Sequence, residues 1–242
     1  MEQYFFTEDI YLQDQKLYKD HKLIQKYNWH HILCDYGWEK INIQWIKKLN
    51  KLSDKNNKNS SFGVLDCGSD GDCFFHCISH ALKSIELFNI EYDIDVKFLR
   101  ELISDSISSD KFEEIISIYK VLYDTNDFYE DWDPYHIDIV DFKELIKCGG
   151  NDYWCDQILL NIIKNILNVN FIILNNNEIT NEYYYYPISY DYNENHKTII
   201  LLYENDIHFK LIGHFNGDMM VSYFTNKNLP SELSKMYGIL RN

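Results

Sequence analysis

From Val169 onward the chain is a succession of short apolar and aromatic runs: VNFIIL at 169–174, YYYY at 183–186, TIILLY at 198–203, IHFKLI at 207–212 and MVSYF at 220–224. Runs this short, rich in β-branched and aromatic side chains and separated by Asn, Asp and Gly, form strands. Upstream the period changes. Phe74, Cys77, Ile78, Ala81, Leu82 and Ile85 recur at three- and four-residue intervals, which predicts a helix beginning near Cys73. The same spacing predicts helices over Asp95–Ile107, Lys111–Tyr123, Ile137–Lys147 and Tyr153–Leu167, the last two punctuated by Gly149 and Gly150. Helices followed by a β meander specify an α+β fold, with helices packed around a small, mostly antiparallel sheet. There is no internal repeat.

The first fifty residues hold three of the five tryptophans. Apolar spacing over Trp29–Leu49 suits amphipathic helices, with Ile41, Ile43, Trp45, Ile46 and Leu49 as buried positions. The polar stretch LSDKNNKNSS at 52–61 reads as a boundary. The expected organisation is an N-terminal helical extension over 1–60 and a main domain over 61–242, with a helical insertion around 86–148.

Charge narrows the partners. Lys and Arg number 23 against 38 Asp and Glu, a formal charge of −15, which repels nucleic acid and suits a basic partner. No apolar run approaches the roughly 18 residues that span a bilayer, so no membrane role is expected. Six cysteines without a leader-like start fit reduced thiols and an intracellular, cytoplasmic location, that of the host if the source is a virus or an intracellular pathogen.

The segment Gly68-Ser69-Asp70-Gly71-Asp72-Cys73-Phe74-Phe75 sets a cysteine at the first turn of a helix, after a glycine-containing loop. A helix N-terminus favours thiolate over thiol, whose free pKa is about 8.5. Amides around Asp70, Gly71, Asp72 and Cys73 are candidate donors to an oxyanion, because Gly71 lets backbone approach a substrate carbonyl. Such a thiol needs a base. Of nine histidines, His208 opens the alternating segment Ile207-His208-Phe209-Lys210-Leu211 and is the first candidate, with His214 the second. Cys73, His76, Cys77 and His80 could be drawn as a zinc site, but they fall along one stripe of one helix, whereas structural zinc draws ligands from separate elements. Neither a metal nor a cofactor is expected.

Asp70-Gly71-Asp72-Cys73-Phe74-Phe75 resembles the Asp-Gly-x-Cys-aromatic/Leu-Phe signature of OTU (ovarian tumour) cysteine proteases, between a short strand and a long helix as in that family. His208-Phe209-Lys210-Leu211 resembles the family's His-aromatic-x-apolar strand. Tyr153-Trp154-Cys155-Asp156 before the strand at 169–174 is similar to its Trp-plus-acidic helix start. The resemblance covers about Phe62–Phe224. It implies a papain-like OTU fold and a deubiquitinase with Cys73 as nucleophile, His208 as base, Asp70 in the active-site loop shaping the oxyanion hole, and Trp154 as a substrate-binding wall. Ubiquitin or polyubiquitin, or a ubiquitin-like modifier, would be the partner.

One position departs. Many OTU proteases carry Asn or Asp two residues after the histidine, where this chain has Lys210, which accepts no hydrogen bond from an imidazole. Asn216, Asp218, Asp206 and Asp66 are the available substitutes. A catalytically weak or inactive ubiquitin-binding protein is the alternative that Lys210 motivates.

Overall fold

The computed structural model describes residues 3–5, 9–53, 60–83, 94–186 and 192–240. The chain divides into two compact units, Met1–Cys67 with Asn170–Asn242, and Gly68–Val169.

The first unit is built on two sheets. Strands β1 (Gln3–Phe5), β2 (Ile10–Gln13), β3 (Lys16–Lys19) and β4 (Lys22–Leu23) form a meander in that order. The larger sheet has the order β5-β6-β10-β9-β7-β8, from β5 (Trp38–Lys40), β6 (Phe62–Leu65), β7 (Val169–Asn177), β8 (Glu182–Tyr185), β9 (Lys197–Glu204) and β10 (His208–Phe215). Short strands β11 (Met220–Val221) and β12 (Tyr223–Phe224) pair with β10 and β9. Helices α1 (Trp29–Ile32), α2 (Ile43–Leu52) and α8 (Ser231–Tyr237) complete the unit. The fold is α+β, and the β5–β6, β6–β10, β10–β9 and β7–β8 pairings are antiparallel as expected.

On one face of this sheet Val64, Ile172, Leu174, Ile200 and Ile212 pack with Trp45 and Leu49 of α2 and Leu233 of α8. Trp45 is wholly buried, and its indole N–H donates to the Asn175 carbonyl at 3.1 Å. Gly63 and Gly213 face each other across β6 and β10. A side chain at Gly213 would stand 2.6 Å from the Trp38 ring, and one at Gly63 would stand 3.0 Å from Trp29. The glycine pair is therefore the notch that seats both tryptophans.

Two expectations for the N-terminal segment are corrected. Strands β1 to β4 precede α1 and α2, so the extension is not helical throughout. Nor does it stand apart, because β5 pairs with β6 and Trp29, Trp38 and Trp45 belong to the core of the first unit. The hairpins were hidden by their turns. Gln13 pairs with Lys16 and Lys19 with Lys22, leaving Asp14-Gln15 and Asp20-His21 as two-residue turns with all four residues at positive φ. Such turns usually advertise themselves with glycine, and these have none.

The second unit is helical: α3 (Cys73–Lys83), α4 (Val96–Ser106), α5 (Ser109–Asp124), α6 (Ile139–Cys148) and α7 (Gln157–Leu167). Each start from α4 onward is capped by a side-chain acceptor, Asp95, Ser108, Asp138 and Asp156 in turn. Satisfying first-turn amides in this way is worth roughly 1 kcal/mol per cap. Helix α4 packs against α3, α6 and α7, with Leu99 and Ile103 wholly buried. Helices α4 to α6 fall within the span expected as an insertion, whose first part, like Ile85, lies outside the described residues. No helix among the described residues is long and apolar enough to cross a membrane.

Candidate active site

In the second unit, Cys73 is the first residue of α3 and is 8 % exposed. The loop before it is a tight turn. Asp72 N–H donates to the Ser69 carbonyl at 3.3 Å, and the two residues enclosed, Asp70 and Gly71, have φ of 63° and 83°. Positive φ at both central positions is the pattern of a type I′ turn. Gly68 is required as well: its φ is 148°, and an added side chain would lie 2.6 Å from the His76 imidazole.

Sequence reading missed what holds this turn. Arg100 of α4 is 1 % exposed, and its Nε donates to Asp72 Oδ1 at 2.7 Å, with a second guanidinium nitrogen 2.6 Å from the same oxygen. Its terminal nitrogens also donate to the carbonyls of Ile146 at 2.9 Å and Tyr153 at 3.0 Å, and the guanidinium lies 4.4 Å from the centre of the Phe75 ring. Asp72 Oδ2 accepts from Gly150 N–H at 3.0 Å. One buried cation thus ties the turn to the start of α3, the end of α6 and the segment before α7. Asp70 itself is exposed, and Asp72, proposed from sequence as an oxyanion donor, has its amide in the turn and its carboxylate on Arg100.

In the first unit, His208 opens β10, and its Nε2 lies 3.2 Å from both carboxylate oxygens of Asp66. Register explains the meeting. Leu65, the last residue of β6, pairs with Leu211 of β10, so the antiparallel continuation brings the next residue, Asp66, alongside the beginning of β10. Of the four substitutes weighed from sequence, Asp66 is the one on the imidazole. Asp206 accepts from the side chains of Asn175 and Asn177, and Asn216 accepts from the backbone of Asp218 and Met219. Lys210 is paired with Glu204 of β9 at 2.6 Å, which offsets its charge on the face it shares with His208.

His214 is poorly suited to be the base. It stacks edge-on against Phe62 with ring centres 4.9 Å apart, and burial, reinforced by Lys26 and opposed by Glu232, pushes its imidazole down to about 4. The unfolded chain would protonate near the ordinary 6.5 while the folded chain resists. Thermal stability is therefore expected to fall as pH drops from about 6.5 towards about 4, and His214→Gln should flatten that slope in melting curves.

Trp154 is 42 % exposed and is not a core residue. It lines a cleft of about 480 Å³ in the second unit. Asp156 caps α7, accepting from the amides of Ile158 and Leu159, and also accepts from the Tyr119 hydroxyl at 2.6 Å. Of the stripe weighed as a zinc site, Cys77 is wholly buried in the helix packing and His76 sits against Gly68. Among the described residues no cluster of His, Cys, Asp or Glu is arranged to hold a metal ion.

A helix-initiating cysteine behind a glycine turn and a histidine paired with a carboxylate are the parts of a thiol hydrolase. The sequence profile of the OTU-like cysteine proteases matches residues 68–215, and the chain belongs to that family. No curated protein sequence matches. Among solved structures, an OTU domain in complex with ubiquitin is 18 % identical, with a TM-score of 0.41 over 74 % of this chain and 83 % of its own. The OTU protease of Dera Ghazi Khan virus is 14 % identical, with a TM-score of 0.38 over 64 % and 82 %. An OTU deubiquitinase from Wolbachia pipientis wMel is 14 % identical, with a TM-score of 0.39 over 73 % and 96 %.

Proposed function

We propose that this protein is a deubiquitinase that hydrolyses the isopeptide bond after the C-terminal glycine of ubiquitin, with Cys73 as nucleophile and His208 as base. The observation that carries the reading is the His208–Asp66 pair, because it supplies the orienting carboxylate that Lys210 had left in doubt.

An acceptor on Nε2 keeps the proton on that nitrogen and leaves Nδ1 to take the proton of the Cys73 thiol. The thiolate attacks the glycine carbonyl, and the tetrahedral oxyanion is held by amides of the loop and the first turn of α3. Asp70, Gly71 and Cys73 are the proposed contributors, since the Asp72 amide is engaged by Ser69. His208 then protonates the lysine amine as the C–N bond breaks, leaving a thioester. Water, deprotonated by His208, adds to the thioester and releases ubiquitin as a carboxylic acid, and the thiol is restored.

Family membership supports ubiquitin as substrate, and the charge suits it: its tail is basic, and this chain carries −15. Trp154 is proposed as a wall of the tail's path. A cytoplasmic setting is part of this proposal, supported by six cysteines that are all free thiols. The inactive-binder alternative loses its motive where Asp66 replaces the missing acceptor and Glu204 neutralises Lys210.

Turnover of a ubiquitin bearing a fluorogenic C-terminal amide tests the activity, alongside the same substrate made with ubiquitin-like modifiers. Release from ubiquitin that disappears in Cys73→Ala is expected. Release only from another modifier would reassign the substrate.

A further inference from the structure

The larger sheet of the first unit ends on β8, which pairs with β7 and with no other strand among the described residues. Tyr186 N–H donates to the Ile173 carbonyl at 3.1 Å, one step beyond the Leu174–Tyr185 pair in the register. Antiparallel ladders alternate, so the backbone groups of Tyr184 turn towards β7 and those of Tyr183 and Tyr185 turn away from it. Of these outward groups, the Tyr183 carbonyl accepts from Lys48 Nζ. Among the described residues Tyr183 N–H and both backbone groups of Tyr185 have no hydrogen-bond partner.

Beside this edge runs a groove of about 440 Å³, lined by Gln44, Lys47, Lys48 and Lys51 of α2 and by Asn181 and Tyr183. All three lysines are exposed, and among the described residues none of them pairs with a carboxylate. The acidic residues of the neighbouring turn are engaged elsewhere: Glu178 accepts from Asn42 Nδ2 at 3.1 Å and Glu182 from Thr180 Oγ1 at 2.9 Å. Lys48 Nζ also lies 5.1 Å from the centre of the Trp45 ring, so its stem crosses the buried tryptophan to reach the strand edge. In a chain of formal charge −15, three ammonium groups without carboxylates in one groove form a local exception.

An open strand edge takes the backbone of an extended peptide, and the charges beside it select which peptide. We propose that the β8 edge and the α2 lysines together form a docking site for an acidic, extended segment of a partner protein. The segment adds as a further strand outside β8, exchanging backbone hydrogen bonds with Tyr183 and Tyr185, and its carboxylates meet Lys47 and Lys51. Lys48 gives up the Tyr183 carbonyl to an N–H of the segment and turns to a carboxylate. A protein segment fits better than a nucleic acid, because peptide groups in strand register are matched by another backbone and the net charge repels a long polyanion. The site uses neither Cys73 nor His208.

The side chains of β8 suit an added strand. Tyr184 and Tyr185 are 41 % and 43 % exposed and point to opposite faces of the sheet. Tyr184 is braced edge-on by Tyr186 at 5.5 Å between ring centres, and Tyr185 by Tyr237 at 5.0 Å. Braced rings of this kind pair well with β-branched residues on a neighbouring strand. The lysines also select against other strands, since a neutral or basic segment gains no charge pairing for the Tyr183 carbonyl it takes from Lys48.

The test is an NMR titration of the full-length protein, isotope-labelled at tyrosine, with acetyl-Glu-Val-Glu-Val-Glu-amide and with its glutamine counterpart. Tyr183→Phe and Tyr185→Phe assign the two amide signals. Saturable shifts of both signals with the acidic peptide, and affinity roughly tenfold weaker with the glutamine peptide, are expected. Methylating the valine amides in one peptide and the glutamate amides in another should abolish binding in one case and spare it in the other, because alternate amides of an added strand face β8. Lys47→Gln/Lys51→Gln should weaken binding by about tenfold with an unchanged melting curve, since both side chains are exposed. The absence of saturable shifts, equal binding of the glutamine peptide, equal tolerance of both methylated peptides, or unchanged affinity in the folded double variant would each overturn the assignment. Saturable binding of oligothymidylate at these lysines, without binding of the acidic peptide, would overturn it in favour of nucleic acid. None of these outcomes depends on ubiquitin or on turnover.

Discussion

Replacing Arg100 with methionine is expected to lower the thermal midpoint by roughly 10 °C and to reduce turnover in the protein that remains folded. Methionine fills similar space without donors, so Asp72 would lose the cation that pairs with it, and the carbonyls of Ile146 and Tyr153 would lose their hydrogen bonds. Removing one partner of a buried ion pair typically costs about 3–5 kcal/mol, because the remaining charge is left uncompensated. In a chain of this size each kcal/mol shifts the midpoint by about 2–4 °C. Turnover should suffer because Asp72 closes the turn that carries Gly71 and starts the helix of Cys73. Asp72→Asn, whose single carbonyl oxygen still accepts from Arg100 while its NH2 replaces the oxygen that accepted from Gly150 N–H, should lie between wild type and Arg100→Met in both measurements. A melting curve of Arg100→Met that overlays wild type would show that the guanidinium is not the tie described here.

Asp66→Asn is expected to lower kcat on a fluorogenic ubiquitin substrate by roughly 10- to 1000-fold, with KM little changed. The substitution keeps shape but removes the negative charge that stabilises an imidazolium, and it lets an amide N–H face Nε2 and favour the wrong tautomer. His208→Ala should remove more, since the base itself is gone. If Asp66→Asn retained wild-type kcat, the 3.2 Å contact would be incidental and His208 would be oriented by another group.

Much of this arrangement was legible in the sequence because it is local. The helices of the second unit were readable from apolar spacing, and the strands after Val169 from short apolar runs. The turn before Cys73 was readable because Gly68 and Gly71 mark backbone that other residues rarely adopt. What escaped is non-local or disguised. Asp66 was one of four possible partners for His208, and only the β6–β10 register selects it. Arg100 looks like any charged residue of an amphipathic helix, and nothing around it signals a guanidinium with 1 % exposure. The N-terminal meander turns through Asp14-Gln15 and Asp20-His21, so local propensity carried no glycine to announce it.

The account rests on Cys73 as a nucleophile that recognises ubiquitin, and intact mass spectrometry measures this directly. Folded, reduced protein is incubated with a ubiquitin whose C-terminus carries a thiol-reactive group, beside Cys73→Ala and His208→Ala. A single covalent adduct on the wild-type chain, absent from Cys73→Ala and slowed in His208→Ala, is the predicted result. No adduct on the wild-type chain, or an adduct that persists in Cys73→Ala, would contradict the account.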